Sequence, residues 1–493
     1  MRQLSGVDNG FLVMESATNF GHVASMTVYD PSDAPGGAGY EATYQLLLER
    51  IDEVPLFRRR LVEVPLGLDL PYWVEDPHFD LDFHLRHHAV PPPGTDEQLA
   101  EVISRIVARP LDRSRPLWEM YVIEGLAGGR IAQLTKIHHA AIDGAAGAQL
   151  LAILLDTDPT RRPRPKPLDD WQPERIPNDL ELLQRTAIEY LRRPEKMIRL
   201  GVRTLRDLAA TTQNGGLRAI ADIAAQPMPG PVGQLVRNRL RGNHHEVDTP
   251  PALPVTPAPR TPFNRTIGAH RRFAFVSVPL ADTKKIKSAY GVTLNDVVMA
   301  LCSATLRRYL DERAALPDEP LIAMVPVSVR TGSESDAYQN RVSAVFANLH
   351  THEKDPVDRL IAISGSMRAA KEMHAAIPAE RLTDFAQFAP PAVAARAMRL
   401  YSRTRVADRM NPPFNLVISN VPGPKEPLFS AGARLEHFYP VSTIVDGQGL
   451  NMTVQSYNGS MDFGFLADRD LVPDVWDLKG YLLDAVQELL DTL

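Results

Sequence analysis

The chain has a single cysteine, Cys302, in 493 residues. One thiol excludes an intramolecular disulfide and a zinc site built on cysteines, and it suits a reducing cytoplasm. Its surroundings, V-V-M-A-L-C-S-A, are those of a small core residue. No run of about 18 apolar residues occurs, so no segment reads as a bilayer span. The opening M-R-Q-L-S-G-V-D-N-G has no apolar core and takes on acid early, so it does not read as a signal peptide. Basic excess is missing too: a formal net charge of -6 argues against a nucleic-acid binder, whose footprint is basic. There is no Gly-x-Ser-x-Gly elbow, no nucleophilic-cysteine context and no short internal repeat. What remains is ordinary globular composition, 44% hydrophobic and 23% charged, at a length that suits two domains plus a connection.

The most informative stretch is Ile131–Leu155, I-A-Q-L-T-K-I-H-H-A-A-I-D-G-A-A-G-A-Q-L-L-A-I-L-L. Ile131 to Ile137 half-alternates and reads as a strand. The pattern breaks at His138-His139, turns through Asp143-Gly144, and resumes as an Ala/Leu-rich buried helix. Gly144 tolerates positive φ, and Asp143 stands where it can cap that helix. Adjacent imidazoles at a strand end, with a carboxylate four residues on, are what a positioned general base needs. A lone strand-end histidine is ordinarily just a satisfied polar residue. The complete H-H-x-x-x-D-G pattern is the more specific signal.

Around it, Gly21 to Asp30 reads as a first strand and Tyr40 to Ile51 as a helix. Leu81 to Val90 (L-D-F-H-L-R-H-H-A-V) reads as a polar strand, although on a helix His84 and His88 would share a face and mimic a metal site. Thr95 to Ala108 is a helix with a Thr95/Gln98 capping box. Trp118–Glu124 and Ile131–Ile137 form a hairpin carrying the histidine pair at its far end. Asp158–Pro177 and Thr249–Pro262 are Pro-rich linkers. Between them, Asp179–Asn243 reads as helical and basic, suited either to a lipid surface or to bracing two domains. From Arg271 compact elements resume: a strand to Pro279, a helix Leu280–Tyr290, a long buried helix from Leu294, and strands Leu321–Val329 and Val342–Leu349. Two helices (Asp355–Ala375, Pro378–Ala407), a strand Pro413–Asn420, a hairpin across Asn458-Gly459 and a last helix Pro473–Leu493 complete the pattern. The fold class is therefore mixed α/β. The expected division is an N-terminal domain 1–157 carrying the histidine motif, a connection 158–268, and a C-terminal domain 269–493.

Several separated motifs then agree: P-L-W at Pro116 to Trp118, H-H-A-A-I-D-G at His138 to Gly144, N-D-V-V-M-A at Asn295 to Ala300, V-P-V-S-V-R at Val325 to Arg330, and S-N-V-P-G-P at Ser419 to Pro424. With the opening L-S-G-V-D-N-G-F-L-V-M-E-S, they make the chain resemble the bacterial wax ester synthase/acyl-CoA:diacylglycerol acyltransferase family, within the chloramphenicol-acetyltransferase-like superfamily. Met299 stands where leucine is commoner, a volume-conserving change. The histidine motif alone is also found in peptide-synthetase condensation domains.

The resemblance implies two superfamily domains meeting at a tunnel, with acyl-CoA entering from one side and the acceptor from the other. It implies acyl transfer from long-chain acyl-CoA to a lipid hydroxyl, of diacylglycerol or of a fatty alcohol, with His139 as base and no covalent enzyme intermediate. By the same resemblance Asp143 pairs with an arginine and fixes the loop, while His138 packs beside His139. Gly144, Pro116 and Trp118 shape the site. Asn295 is an oxyanion-donor candidate, with a helix cap as the plainer reading. Ser419 and Asn420 line the tunnel or form a tight turn. Arg271, Arg272, Lys284 and Lys285 are candidates for the coenzyme phosphates, each equally readable as a solvated basic face. No metal and no permanently bound cofactor is expected, and cytoplasmic residence with peripheral contact at the inner membrane or a lipid droplet is. Two alternatives stay open: a carrier-protein-dependent condensation-type acyltransferase, and a non-catalytic lipid-droplet protein.

Overall fold

Period-2 and period-3.6 patterning resolves into two six-stranded mixed sheets in the computed structural model, which describes residues 1–34, 37–142, 144–160, 173–192, 257–328, 342–375, 402 and 404–493. The first half runs β1 (Arg2–Gln3), α1 (Gly6–Val13), β2 (His22–Asp30), α2 (Tyr40–Arg50), β3 (Arg59–Val62) and β4 (Tyr72–Glu75). It continues with α3 (Leu81–His84), β5 (Leu85–Ala89), α4 (Asp96–Val107), β6 (Trp118–Glu124), β7 (Ile131–His138), α5 (Gly144–Leu154) and α6 (Asp179–Arg192). The second half runs β8 (Arg271–Pro279), α7 (Leu280–Tyr290), α8 (Leu294–Asp311), β9 (Ile322–Ser328), β10 (Val342–Asn348) and α9 (Pro356–Ala375). It closes with β11 (Leu416–Pro422), β12 (Phe429–Ser430), β13 (Ala433–Val441), β14 (Leu450–Tyr457), β15 (Ser460–Asp468) and α10 (Asp477–Leu490).

Local rules account for most of these elements. Thr95 and Gln98 form the reciprocal capping box that starts α4. Asn458 and Gly459 both adopt positive φ, 39° and 87°, as a two-residue turn between β14 and β15 requires. The stretch Leu81–Val90 departs from the expected strand. Asp80 caps a short helix through His84, and only Leu85–Ala89 pairs, parallel to β6. The helix expected over Pro378–Ala407 is described only at its end, where Arg405 is left-handed and a 3-10 turn spans Val406–Asp408 instead of continuous helix, and most of the basic segment Asp179–Asn243 lies outside the described residues. Of the latter, α6 is helical as expected. Among the described residues no single helix is long and apolar enough to cross a membrane; α7 and α8 meet the composition only as a pair bent by 104°.

The expected domain boundaries need one correction. The first sheet has the order β12-β13-β2-β7-β6-β5, so a strand pair from residues 429–441 completes the sheet that carries the histidine motif. The second sheet, β10-β9-β11-β14-β15-β8, keeps the rest. Ala274, Val276 and Val278 face a helical core with Val297, Leu301 and Leu482, while the alternate Phe273 and Phe275 face the first sheet and pack with Met26, Val28, Leu99 and Leu134. Gly464 makes this approach possible: a Cβ there would stand 1.9 Å from Pro440 O of β13. The two halves are thus fused through an apolar seam rather than tethered.

At one end of that seam β13 bulges between Leu435 and His437. There His437 Nδ1 lies 3.1 Å from Oδ1 of the fully buried Asp462, which also accepts from Ser277 Oγ and Ser460 Oγ at 2.6 Å each.

Candidate active site

β7 stops where its last residues find partners other than a strand. The His138 N–H donates to Leu117 O of the P-L-W motif at 3.0 Å, and the His139 N–H to Gly21 O at 2.8 Å. Trp118 fixes that motif: it is fully buried, its Nε1 donates to Phe57 O at 2.9 Å, and it is sandwiched between Phe57 and His84 at 4.0 and 4.7 Å. Pro116 bridges to Arg60 on β3. Pro116 and Trp118 therefore support the site without entering it.

The two imidazoles have different surroundings. His138 is buried. Its Nδ1 accepts the Ala140 N–H at 3.0 Å, which places the proton of the neutral ring on Nε2, facing Glu15 Oε1 at 3.2 Å. The Glu15 carboxylate also accepts from the Gly21 N–H at 2.9 Å and from Arg113 Nε and Nη2 at 2.9 and 2.6 Å. Burial alone would raise the Glu15 pKa, but His138, the Arg113 guanidinium and the Gly21 amide outweigh it and hold it at about 2. Gly21 is required by contact: a Cβ there would meet His138 Nε2 at 2.6 Å and Phe11 O at 2.9 Å. His139 is half-buried and stacks flat on Phe11, centroids 4.0 Å apart and planes 8° off parallel. Phe11 is held by α1, which Ser5 caps by accepting the Asp8 N–H.

Beneath the pair the same strand face is polar and dry. His22 sits opposite His138 across β2 and β7, and burial pushes its pKa well below the usual value, so a neutral ring faces Val107 O at 3.0 Å. Lys136 is fully buried, its ammonium donating to Arg109 O at 2.6 Å near the end of α4 and standing 3.6 Å from Glu119. Burial lowers it to about 8, although Glu119 acts the other way.

The second half reaches this loop through residues the motifs did not name. Asn19 donates to Asp446 Oδ2 at 3.0 Å and to Ser402 Oγ at 3.2 Å, and the Asp446 N–H returns a bond to Asn19 Oδ1 at 3.0 Å. Thr443 Oγ1 donates to Phe20 O at 2.7 Å. The Arg271 guanidinium donates to Thr18 O and Gly268 O, and stands over the Phe20 ring at 4.8 Å. These bonds brace Glu15–His22 from behind.

Arg271 is accordingly not a free phosphate ligand, which corrects the sequence expectation. It is 5% exposed and occupied by carbonyls, and burial lowers its pKa to about 10. Arg272 points to the opposite face of β8, 3.6 Å from Glu101. Lys285 pairs with Asp282 at 2.8 Å, and Lys284 is exposed on the same helix, so the four cations do not converge.

Asn295 is the second residue of α8, and the cap is Thr293, in a box with Asp296. Asn295 Oδ1 instead accepts from Asn420 Nδ2 at 3.3 Å, so the structure brings these two together. Ser419 takes the other face of β11, because Leu416, Ile418 and Asn420 alternate onto the helical side. Asp143 and Arg330 lie outside the described residues, and Gly144 opens α5. Among the described residues no group of His, Cys, Asp and Glu is arranged to hold a metal; His84 faces Trp118 O at 2.7 Å while His88 stacks on Tyr121. A cleft of about 280 Å³, lined by Arg2, Ser5, Arg59, Trp73, Ala140 and Ala141, opens beside the loop that follows His139.

Comparison with known proteins agrees across the chain. The wax ester synthase/diacylglycerol acyltransferase catalytic domain matches residues 4–298, and the WS/DGAT C-terminal domain matches residues 338–490. Two proteins of Mycobacterium tuberculosis H37Rv that carry the name diacylglycerol O-acyltransferase are 36% identical over 492 residues (100% of this chain, 90% of theirs) and 38% identical over 487 residues (99% of each). The wax ester synthase/diacylglycerol acyltransferase structure from Marinobacter aquaeolei VT8 superposes with a TM-score of 0.66 at 29% identity, covering 99% of this chain and 98% of that one. The first condensation domain of the CDA synthetase shares the fold, with a TM-score of 0.53 at 14% identity over 100% of this chain and 97% of that one. With its motif set, its two fused sheets and these full-length matches, the chain belongs to the wax ester synthase/diacylglycerol acyltransferase family.

Proposed function

We propose that the protein transfers the acyl group of a long-chain acyl-CoA to a lipid hydroxyl, diacylglycerol first and fatty alcohol second, with His139 as general base. The observation that carries this reading is the histidine pair at the end of β7 within a full-length family match. His138 is buried, bonded to the Ala140 N–H and beside Glu15, and His139 is half-buried with its ring stacked on Phe11. The His139 imidazole takes the acceptor hydroxyl proton as the oxygen attacks the thioester carbonyl. Collapse of the tetrahedral adduct breaks the C–S bond, and the imidazolium returns its proton to the departing thiolate. General-base help of this kind supplies roughly 10²–10⁴-fold in rate, and holding two lipids in register adds to it.

Asn295, whose carbonyl oxygen is engaged by Asn420, keeps its amide NH₂ for the developing oxyanion. Ser419 lines the passage on the face turned toward the first half. The absence of a Gly-x-Ser-x-Gly elbow favours direct attack over an acyl-enzyme. Acyl-CoA is a co-substrate rather than a resident cofactor, and the acceptor reaches the site from a membrane or lipid-droplet surface.

The test is side-by-side product analysis with a long-chain acyl-CoA and either diacylglycerol or hexadecanol. Triacylglycerol is expected as the main product. Turnover that needs a phosphopantetheinylated carrier would move the protein to the condensation class, and lipid binding without thioester turnover would remove the enzyme reading.

A further inference from the structure

A buried lysine needs a reason, because burial opposes its charge. Lys136 is fully buried on β7, two residues before His138 and on the same face of the strand. Proton transfer at His139 makes no direct use of it. Its ammonium instead meets two neighbours. Glu119 lies directly opposite across β6 and β7, 3.6 Å away, and the end of α4 lies beneath.

That helix end explains the charge. The last carbonyls of a helix have no partner within it. After Val107 the chain reads A-R-P-L, with no glycine to turn it back and a proline that has no N–H to offer. Side chains from the sheet take the carbonyls instead. His22 Nε2 reaches Val107 O at 3.0 Å, and Lys136 donates to Arg109 O at 2.6 Å and to Ile106 O at 3.5 Å. A cation is favoured at this end of a helix. The same segment then passes Leu111, buried against Leu117 and Ala140, and reaches Arg113, which grips Glu15 beside His138.

We infer that Lys136 is a positioning residue for the transfer step: its ammonium, set between Glu119 and the end of α4, fixes residues 109–113 so that Arg113 and Glu15 hold the histidine pair in place. The inference rests on the reading of His139 as base. The groups that face the ammonium are Glu119 and Tyr121 of β6, Arg86 of β5 behind Glu119, His22 of β2, His138 of β7 itself, and Glu15 after α1. Burial lowers Lys136 to about 8 against the pull of Glu119, so it changes charge just above neutrality and sets the alkaline edge of this frame. The Glu15 carboxylate and the arginines keep their charge there.

Turnover of a long-chain acyl-CoA with diacylglycerol, followed against pH in three full-length proteins, tests this. They are wild type, Glu119→Gln, and the double variant Lys136→Met/Glu119→Gln, which removes both charges together and leaves no unpaired buried ion. Wild-type kcat should fall as pH rises past about 8. In Glu119→Gln that limb should move about one unit lower, because the carboxylate favours the ammonium. The double variant should lose kcat about tenfold or more at neutral pH, keep its KM for acyl-CoA within about twofold, and lack the limb. Isotope-labelled histidine reports the frame without turnover. The His138 ring signal, identified by its loss in His138→Gln, should shift across the same pH interval in wild type and stay still in the double variant. Wild-type kcat in the double variant overturns the inference. So does a loss of kcat that only follows a lower thermal midpoint while the limb in Glu119→Gln stays where it was. A His138 signal that follows Lys136 in a protein that acylates no alcohol upholds the frame and removes the acyltransferase reading.

Discussion

The two ends of the first sheet carry polar clusters of opposite character. Val28 pairs with Ala132 on one side and with His437 on the other, so His437 lies six residues along β7 from His138, about 20 Å away. Met26, Val28, Leu134 and Phe275 fill the space between. At the histidine-motif end the imidazole of His138 lies beside Glu15, a carboxylate held at about 2, which Arg113 grips in turn. At the seam end an imidazole is itself the latch. Burial would lower the His437 pKa, but the bond to Asp462 and its charge, helped by Glu436, prevail over Arg130 and raise it. On the proposed reading the difference has a reason: the scaffold of a base must not titrate in the range where the base works. A structural seam has no such constraint.

That contrast can be broken from either end. The largest expected effect is at Glu15. A carboxyl lowered from 4.5 to about 2 contributes stability that is complete above about pH 4.5 and is lost as pH falls toward 2. The size is on the order of 3 kcal/mol. Glu15→Gln should therefore lose most of that at pH 7 and flatten the acid limb of a denaturant-midpoint-versus-pH curve. An acid limb identical to wild type would show that the carboxylate is not held as described. Next comes Gly21→Ala, where the new methyl must displace the His138 ring or the Phe11 carbonyl. Overpacking of this kind costs about 1–3 kcal/mol, and kcat should fall with it, measured by steady-state turnover. The smallest effect is at the seam. A group whose folded pKa is raised contributes stability that is present below about 6.5 and fades as pH rises through the folded value. His437→Gln should cost less than about 1 kcal/mol at pH 6, and the difference from wild type should shrink by pH 9. Thermal unfolding at the two pH values checks it; a deficit that grows with pH contradicts the sign.

The same comparison explains which parts of the molecule could be read from sequence. The Thr95/Gln98 box, the Asn458-Gly459 turn and the strand that ends at the histidine pair are local, and each comes out where its pattern places it. β13 did not, because the bulge between Leu435 and His437 breaks the period-2 alternation of A-R-L-E-H-F-Y-P-V and Pro440 argues against a strand. With β13 missed, the exchange of strands between the halves was invisible. Glu15 stood inside the quoted opening motif, but its partner Arg113 is 98 residues away, and no spacing rule links them. Arg271 looked like a phosphate ligand because sequence shows a charge and not the carbonyls around it. Sequence shows Ser419 and Asn420 as neighbours, whereas a strand sends neighbours to opposite faces.

The central claim is a division of labour between two adjacent imidazoles, His139 for the proton and His138 for the loop. It is tested most directly by pre-steady-state transfer from a long-chain acyl-CoA to diacylglycerol in His139→Ala and His138→Ala, each with its thermal midpoint. Removing the His139 ring should slow transfer by roughly 10²–10⁴-fold and leave the midpoint near wild type. Removing His138 should lower the midpoint by leaving the Ala140 N–H without its acceptor and taking away one of the groups around Glu15, with a smaller loss of rate. Near-wild-type product formation by folded His139→Ala would contradict the account.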